Sequence, residues 1–151
     1  MGHFPTGVTV LTTVHDGERH GMTANSVTSV SLEPVMILVC LVREARTALA
    51  IEKSGRFAVN FLREDQEEIS RRFAAAGQDR FEGLEVDEDE SGLPLLPGCT
   101  AFLTCRVTEI VPVGDHDVVL AEVERARATG GNPLVFHLGG YKRLPGMGRL
   151  G

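Results

Sequence analysis

Apolar and polar positions alternate with a period of two along much of the chain, the spacing of half-buried strands rather than of helices. Val8-Thr-Val-Leu-Thr-Thr-Val14 is rich in β-branched residues and runs into Asp16-Gly17, a two-residue hairpin signal. His20 to Ser26 is the predicted returning strand. Met36 to Leu41 is a short, almost wholly apolar run after Glu33-Pro34 and predicts a buried strand. Ala101, Leu103, Cys105 and Val107 alternate with Phe102, Thr104, Arg106 and Thr108, and Val119, Ala121 and Val123 alternate with Leu120, Glu122 and Glu124. Both stretches predict half-exposed strands. Leu134-Val-Phe136 adds a last short strand before the Gly139-Gly140 break.

Two segments depart from this period. Thr47 to Lys53 holds good helix formers and stops at Ser54-Gly55, where glycine can take the left-handed cap, before Phe57-Ala-Val-Asn-Phe61 resumes strand character. Asp65 with Glu68 three positions on has the form of a capping box, and Ile69 and Phe73 give the next helix an apolar face that should end near Gly77. Gly83 to Gly98 is acidic and turn-rich and reads as a surface loop, its carboxylates a solvated charge run without the ligand periodicity of a calcium loop. With about seven strands and two short helices, a closed antiparallel barrel is the economical way to remove sheet edges. The expected organisation is one domain over residues 1–144 with a flexible tail over 145–151.

Composition narrows the class. The chain has 151 residues, 42% of them hydrophobic, enough to bury a core without staples. Fifteen Lys and Arg against twenty-one Asp and Glu leave a formal charge of −6, so the basic footprint of a nucleic-acid binder is missing. No apolar run approaches the roughly 20 residues of a membrane span, and Met1-Gly-His-Phe-Pro5 does not open a secretory leader, so a cytoplasmic protein with no membrane partner is expected. Cys40, Cys99 and Cys105 lack metal or redox spacing and read as small core residues.

Candidate chemistry lies in three places. Thr23-Ala-Asn-Ser-Val-Thr-Ser-Val-Ser31 sets short hydroxyl and amide side chains in an apolar region, where a flat heteroaromatic ring can approach the backbone and find hydrogen bonds. A polar strand edge that satisfies only itself is the alternative reading of the same residues. Arg46-Thr47 stands where the first helix should begin, joining a fixed positive charge, a hydroxyl and free backbone N–H groups in an anion site. His137 ends a strand beside two glycines, where a ligand can come close, whereas His116 in Gly114-Asp-His116 also reads as part of a turn. Neither histidine has companions at metal spacing. Gly146-Met-Gly-Arg-Leu-Gly151 matches a dinucleotide fingerprint in letters but lacks the strand and helix that make it work.

Taken in order, Phe4-Pro-Thr-Gly-Val-Thr-Val-Leu-Thr12, Gly21-Met-Thr-Ala-Asn-Ser-Val-Thr-Ser-Val-Ser31, Arg56-Phe-Ala-Val-Asn-Phe-Leu62, Asp79-Arg-Phe81, Gly114-Asp-His116 and His137-Leu-Gly-Gly-Tyr141 resemble the flavin reductase-like family. The likeness runs from His3 to Leu144 and is strongest to the short NAD(P)H:flavin oxidoreductases of two-component monooxygenases. It implies a mainly β fold, the antiparallel, Greek-key-like FMN-binding split β-barrel with short flanking helices. It also implies flavin contacts from Thr23, Ala24, Asn25 and Ser26, then Ser29, Val30 and Ser31, with Thr6, Gly7 and Val8 bordering the pocket. Cys40, Leu41, Arg46 and Thr47 fall on the ribityl and phosphate side, and Asn60, Phe61, Arg80 and Phe81 match cofactor-proximal positions. His137, Gly139 and Tyr141 match the region that meets the nicotinamide, with His137 positioning it.

The chain departs from the family pattern at Ala45, Val35 and Ala121, which stand where a serine, a proline and a glycine are usual, and it starts without the customary leading helix. The resemblance implies hydride transfer from NADH or NADPH to FMN or FAD, in a homodimer that supplies reduced flavin to a flavin-dependent monooxygenase. The alternatives are a non-catalytic flavin-binding barrel, or a flavoprotein reducing another acceptor such as ferric iron.

Overall fold

The structure, a computed structural model, describes residues 1–77 and 79–144. The expected flexible tail over 145–151, with its glycine-rich motif, therefore lies outside the described residues. The chain begins with β1 (Thr6–Gly7), then forms a hairpin of β2 (Thr9–His15) and β3 (Glu18–Ala24). Asp16 and Gly17 both have positive φ, 51° and 77°, as the two central residues of a type I′ turn require. A second hairpin, β4 (Val27–Leu32) and β5 (Val35–Val42), leads into α1 (Arg46–Ser54) and β6 (Arg56–Phe61). After α2 (Glu67–Ala74) come the short β7 (Asp87–Glu88) and β8 (Pro94–Leu95), the long hairpin β9 (Ala101–Val113) and β10 (His116–Ala128), and finally β11 (Val135–His137) and β12 (Gly140–Lys142).

Seven strands make the main antiparallel sheet in the order β3-β2-β6-β9-β10-β5-β4. Its edge strands β3 and β4 follow one another in the chain but share no ladder, so the barrel is split there rather than closed. This is the mainly β, antiparallel split barrel that the resemblance implied, with two short helices. β5 shows the expected period of two: Ile37, Val39 and Leu41 are buried, and Met36, Leu38 and Cys40 are half-exposed. A first core joins these residues to Leu11, Ile51, Phe57, Val59, Cys105, Val119 and Ala121. A second, formed by Val8, Val10, Leu62, Phe73, Phe81, Leu96, Phe102 and Leu134, lies under α2 and the β1-β11-β12 sheet. β9 serves both, since Leu103 packs on the first core and Phe102 belongs to the second.

Three local expectations are corrected. Asp65 does not cap α2; the N-cap is Gln66, without a side-chain bond to the helix. The Arg63 guanidinium takes the Asp65 carboxylate in a two-pronged pair at 2.8 and 2.9 Å, which holds that carboxyl below the usual aspartate range. Gly83 to Gly98 is not wholly a surface loop, because Leu93, Pro94 and Leu96 are buried and β7 pairs with β8. Three of its acidic side chains are committed rather than simply solvated: Arg19 holds Glu88, Arg125 holds Glu90, and Asp89 accepts from the Ser91 and Leu93 N–H groups at 2.9 and 2.8 Å. The Gly139-Gly140 break is not an end either, since the turn at Leu138 and Gly139 leads into β12.

Candidate functional site

The edge strand β3 runs between the start of α1 and the end of α2, and an open cleft of about 1610 Å³ lies across it. Thr23, Arg46, Thr47, Arg80 and Phe81 all line this cleft, so the structure brings together residues drawn from three separate stretches of sequence. Gly21 forms its floor. A Cβ there would stand 2.6 Å from Phe73 Cε1, so only glycine lets β3 pass this close to the ring. Phe73 is held in turn by the edge of Phe81, with ring centroids 5.1 Å apart.

One side of the cleft gathers groups that can take an anion. α1 starts at Arg46 with no acidic residue in its first turn, and its N-cap, Ala45, has no side chain to satisfy the exposed N–H groups. Arg80 donates to the carbonyls of Ala75 and Gly21, and Arg80 has no carboxylate partner among the described residues. Burial, helped by the nearby charge of Arg46, pushes the Arg80 guanidinium down. Two cations facing one cleft repel each other, and a bound phosphate would relieve both. Glu18, Asp79 and Glu88 also reach the cleft, but Glu88 is paired with Arg19 and Asp79 accepts the Phe81 N–H at 3.0 Å.

The remaining expected residues fall into two groups. Asn25 is exposed on the link between β3 and β4 and makes no hydrogen bond to the described residues, leaving its amide free. Ser29 and Val30 are exposed at a bulge in β4, and the Ser31 hydroxyl accepts the Glu33 N–H at 3.2 Å. His137, Gly139 and Tyr141 lie on the β11-β12 hairpin, which borders β1 through Thr6–Phe136 and Gly7–Val135 pairs. The Thr6 hydroxyl is buried with no hydrogen-bond partner among the described residues. Gly7 has open space where a side chain would stand.

Several expected contact residues are committed to the scaffold. Asn60 is fully buried, donating to the Val10 carbonyl at 2.9 Å and the Thr12 hydroxyl at 3.0 Å while accepting the Leu96 N–H at 2.8 Å. Its amide has no face left for a ligand. Val8 and Leu41 are core residues, and Ala24 is buried with its carbonyl taken by Thr9 at 2.6 Å. Ser26 spends its hydroxyl on Cys40, donating to the carbonyl at 2.8 Å and accepting the N–H at 3.2 Å. Phe61 packs against the first core. Gly114 and Asp115 form the β9-β10 turn, and Arg43 clamps it through Asp117 at 3.1 Å and the Gly114 carbonyl at 3.1 Å.

Sequence reasoning passed over Gly21, His20 and Met22 as cleft-lining residues, although their place on the predicted strand beside Thr23 was a usable signal. Ser70 had none. It is an isolated serine within a helix, and only the packing of α2 brings it between Thr23 and Tyr141.

Comparison with known proteins is consistent across sequence and structure. The family model described as "Flavin reductase like domain" matches residues 1–145. The reductase component of a 4-nitrophenol 4-monooxygenase/4-nitrocatechol 2-monooxygenase from Rhodococcus opacus is 41% identical over 141 residues, covering 93% of this chain and 76% of that protein. An NADH-dependent flavin reductase from Rhodococcus sp is 37% identical over 152 residues, covering 99% of this chain and 85% of that protein. Among solved structures, the NADH:FAD oxidoreductase of Streptomyces globisporus C-1027 in complex with NAD and FAD fragments superposes with a TM-score of 0.91 at 37% identity, covering 97% of this chain and 90% of that one.

Proposed function

The chain belongs to the flavin reductase-like domain family, and on that premise we propose that it is an NADH-dependent flavin reductase supplying reduced flavin to a separate monooxygenase. The observation that carries this reading is the cleft across β3, where Arg46, Arg80 and the unneutralised α1 N-terminus await an anion beside the Thr23 strand. These residues fit a flavin nucleotide: Arg46, Arg80 and the Thr47 end of α1 take the phosphate side, and Thr23 and Asn25 flank the ring side. The chemistry when both nucleotides are bound is hydride transfer from nicotinamide C4 to flavin N5, with NADH oxidised, flavin reduced and a proton taken from solvent. The protein's part is to hold two rings face to face and keep water from between them. That task needs no protein nucleophile. His137, at the end of β11, orients the nicotinamide, and Gly139 and Gly140 keep the surface beside it low.

The same reading includes a homodimer. The outer face of β9, β10 and β5 presents Val111, Val113, Val118, Leu120, Leu38 and Val42, with Val113 and Val42 about half exposed on either side of His116. A second copy covering this face would remove a continuous apolar strip from water. Among the described residues no helix is long and apolar enough to cross a membrane, and the three free thiols suit a reducing cytoplasm.

Mixing the protein with NADH and excess FMN or FAD and following loss of the reduced-nicotinamide absorbance tests the activity. Turnover with NADH is expected, with NADPH as the comparison. Tight flavin binding without turnover would favour a non-catalytic carrier, and turnover only with ferric iron would favour a different acceptor. Sedimentation should give a dimer that Val42→Asp disrupts; a monomeric parent with full activity would overturn the dimer.

A further inference from the structure

Helix α2 stands between the two halves of the proposed site, and one of its residues bonds to both. Ser70 is fully buried. Its carbonyl accepts the Thr23 hydroxyl at 2.6 Å, and its own hydroxyl lies 2.7 Å from the Tyr141 hydroxyl. Thr23 belongs to the strand beneath the cleft, and Tyr141 to the hairpin that carries His137. α2 is anchored on the β3 side, where Phe73 packs over Gly21 and against Phe81.

The hairpin's backbone is held at its turn and at its entry, by the Leu138 N–H on the Gly2 carbonyl at 2.9 Å and by Leu134 bonding to Leu62 and Val8 at 2.9 and 3.1 Å, but β12, which carries Tyr141, is an edge strand that pairs with β11 alone. β11 and β12 contribute three residues each and border only the two-residue β1. No backbone ladder joins the β12 edge to α2, so its position against that helix is left to side chains. They converge on one ring: Ser70 meets the Tyr141 hydroxyl, the Arg71 guanidinium sits 4.9 Å above the ring centroid, and Phe136 packs edge-on at 5.3 Å. Of these contacts, the Ser70 bond also leads directly to β3.

We propose that Ser70 is a positioning residue for the reductase reaction, locking Tyr141 and the His137 hairpin to the flavin-side strand at Thr23. This rests on the reading that the hairpin meets the nicotinamide. Hydride transfer demands a close and aligned approach of donor and acceptor, and a hairpin free to shift against β3 loses it. Removing either hydroxyl of the Ser70–Tyr141 pair breaks the lock, so removing both should do little more harm than removing one.

The chain contains one tyrosine and no tryptophan, so the near-ultraviolet tyrosine circular dichroism of the apoprotein reads Tyr141 alone. Ser70→Ala should weaken that signal and raise the KM for NADH about fivefold to tenfold, the loss of one buried hydrogen bond, with the flavin Kd within about twofold of the parent. Tyr141→Phe keeps Ser70 and its Thr23 bond, and should give the same rise in KM even if Ser70→Ala folds poorly. The double variant should be no worse than the worse single one. An additive double variant, or single variants with the parent's KM while His137→Ala raises it, would overturn the proposal and leave the hairpin assignment standing. If His137→Ala and both single variants all keep the parent's KM, the hairpin assignment falls and the proposal with it.

Discussion

Asn60→Ala should unfold the protein more readily without weakening flavin binding by what remains folded. The residue makes three hydrogen bonds from a fully buried position, joining β6 to β2 and to the segment that carries β8. At about 1 kcal/mol net for each, their loss amounts to about 3 kcal/mol, and the Leu96 N–H left without an acceptor keeps the figure from falling lower. Against a total stability of about 5–15 kcal/mol this is a large fraction. For a chain of this size it corresponds to a Tm lower by about 6–12 °C. A thermal melt of the apoprotein measures it, and a flavin titration well below the transition measures the other half. A variant that melts with the parent yet binds flavin weakly would put the Asn60 amide in the cofactor pocket and refute its place in the scaffold.

Gly21→Ala forces a methyl against the buried Phe73 ring and should destabilise by about 1–3 kcal/mol, read as a lower denaturant midpoint with an unchanged slope. Arg46→Gln removes an exposed cation at the start of α1 and should leave the melt alone while weakening flavin binding about tenfold, an effect that shrinks as salt rises. Burial pushes the Cys99 and Cys105 thiols up to about 12, so at neutral pH only Cys40 should react quickly with a thiol reagent in the native protein. The same shifts fix the alkaline behaviour: the fold keeps protonated two thiols that the unfolded chain ionises, so their contribution to stability is intact below the ordinary thiol pKa and declines as pH rises toward about 12. A denaturation series across that range that shows no loss of stability would contradict the burial of these thiols.

β5 and β10 were legible because one face of each is buried and the period of two records which, whereas β4, with no buried residue, carries no such record. Asp16-Gly17 and Gly55 were legible because left-handed backbone restricts residue choice so strongly. The capping box at Asp65 misled for the opposite reason. A local pattern proposes a bond, and a better partner two positions away, the Arg63 guanidinium, takes it. The acidic loop misled likewise, since Leu93 and Leu96 among its glycines and prolines are apolar anchors whose burial depends on Thr12 and Asn60 reaching across from distant strands. Within the site, Arg46, Thr47 and Thr23 stood out by chemistry and position along the chain, and the structure sets all three around one cleft. Asn60 and Ser26 looked alike to Asn25 in sequence, because a free amide or hydroxyl and a spent one are the same letters. What separates them is whether the surrounding backbone offers partners inward. For Asn60 it offers the Val10 carbonyl and the Leu96 N–H, and for Ser26 both polar groups of Cys40, whereas Asn25 on its exposed link is offered none by the described residues. Which polar residues the scaffold leaves unsatisfied is thus decided by tertiary packing rather than by residue type.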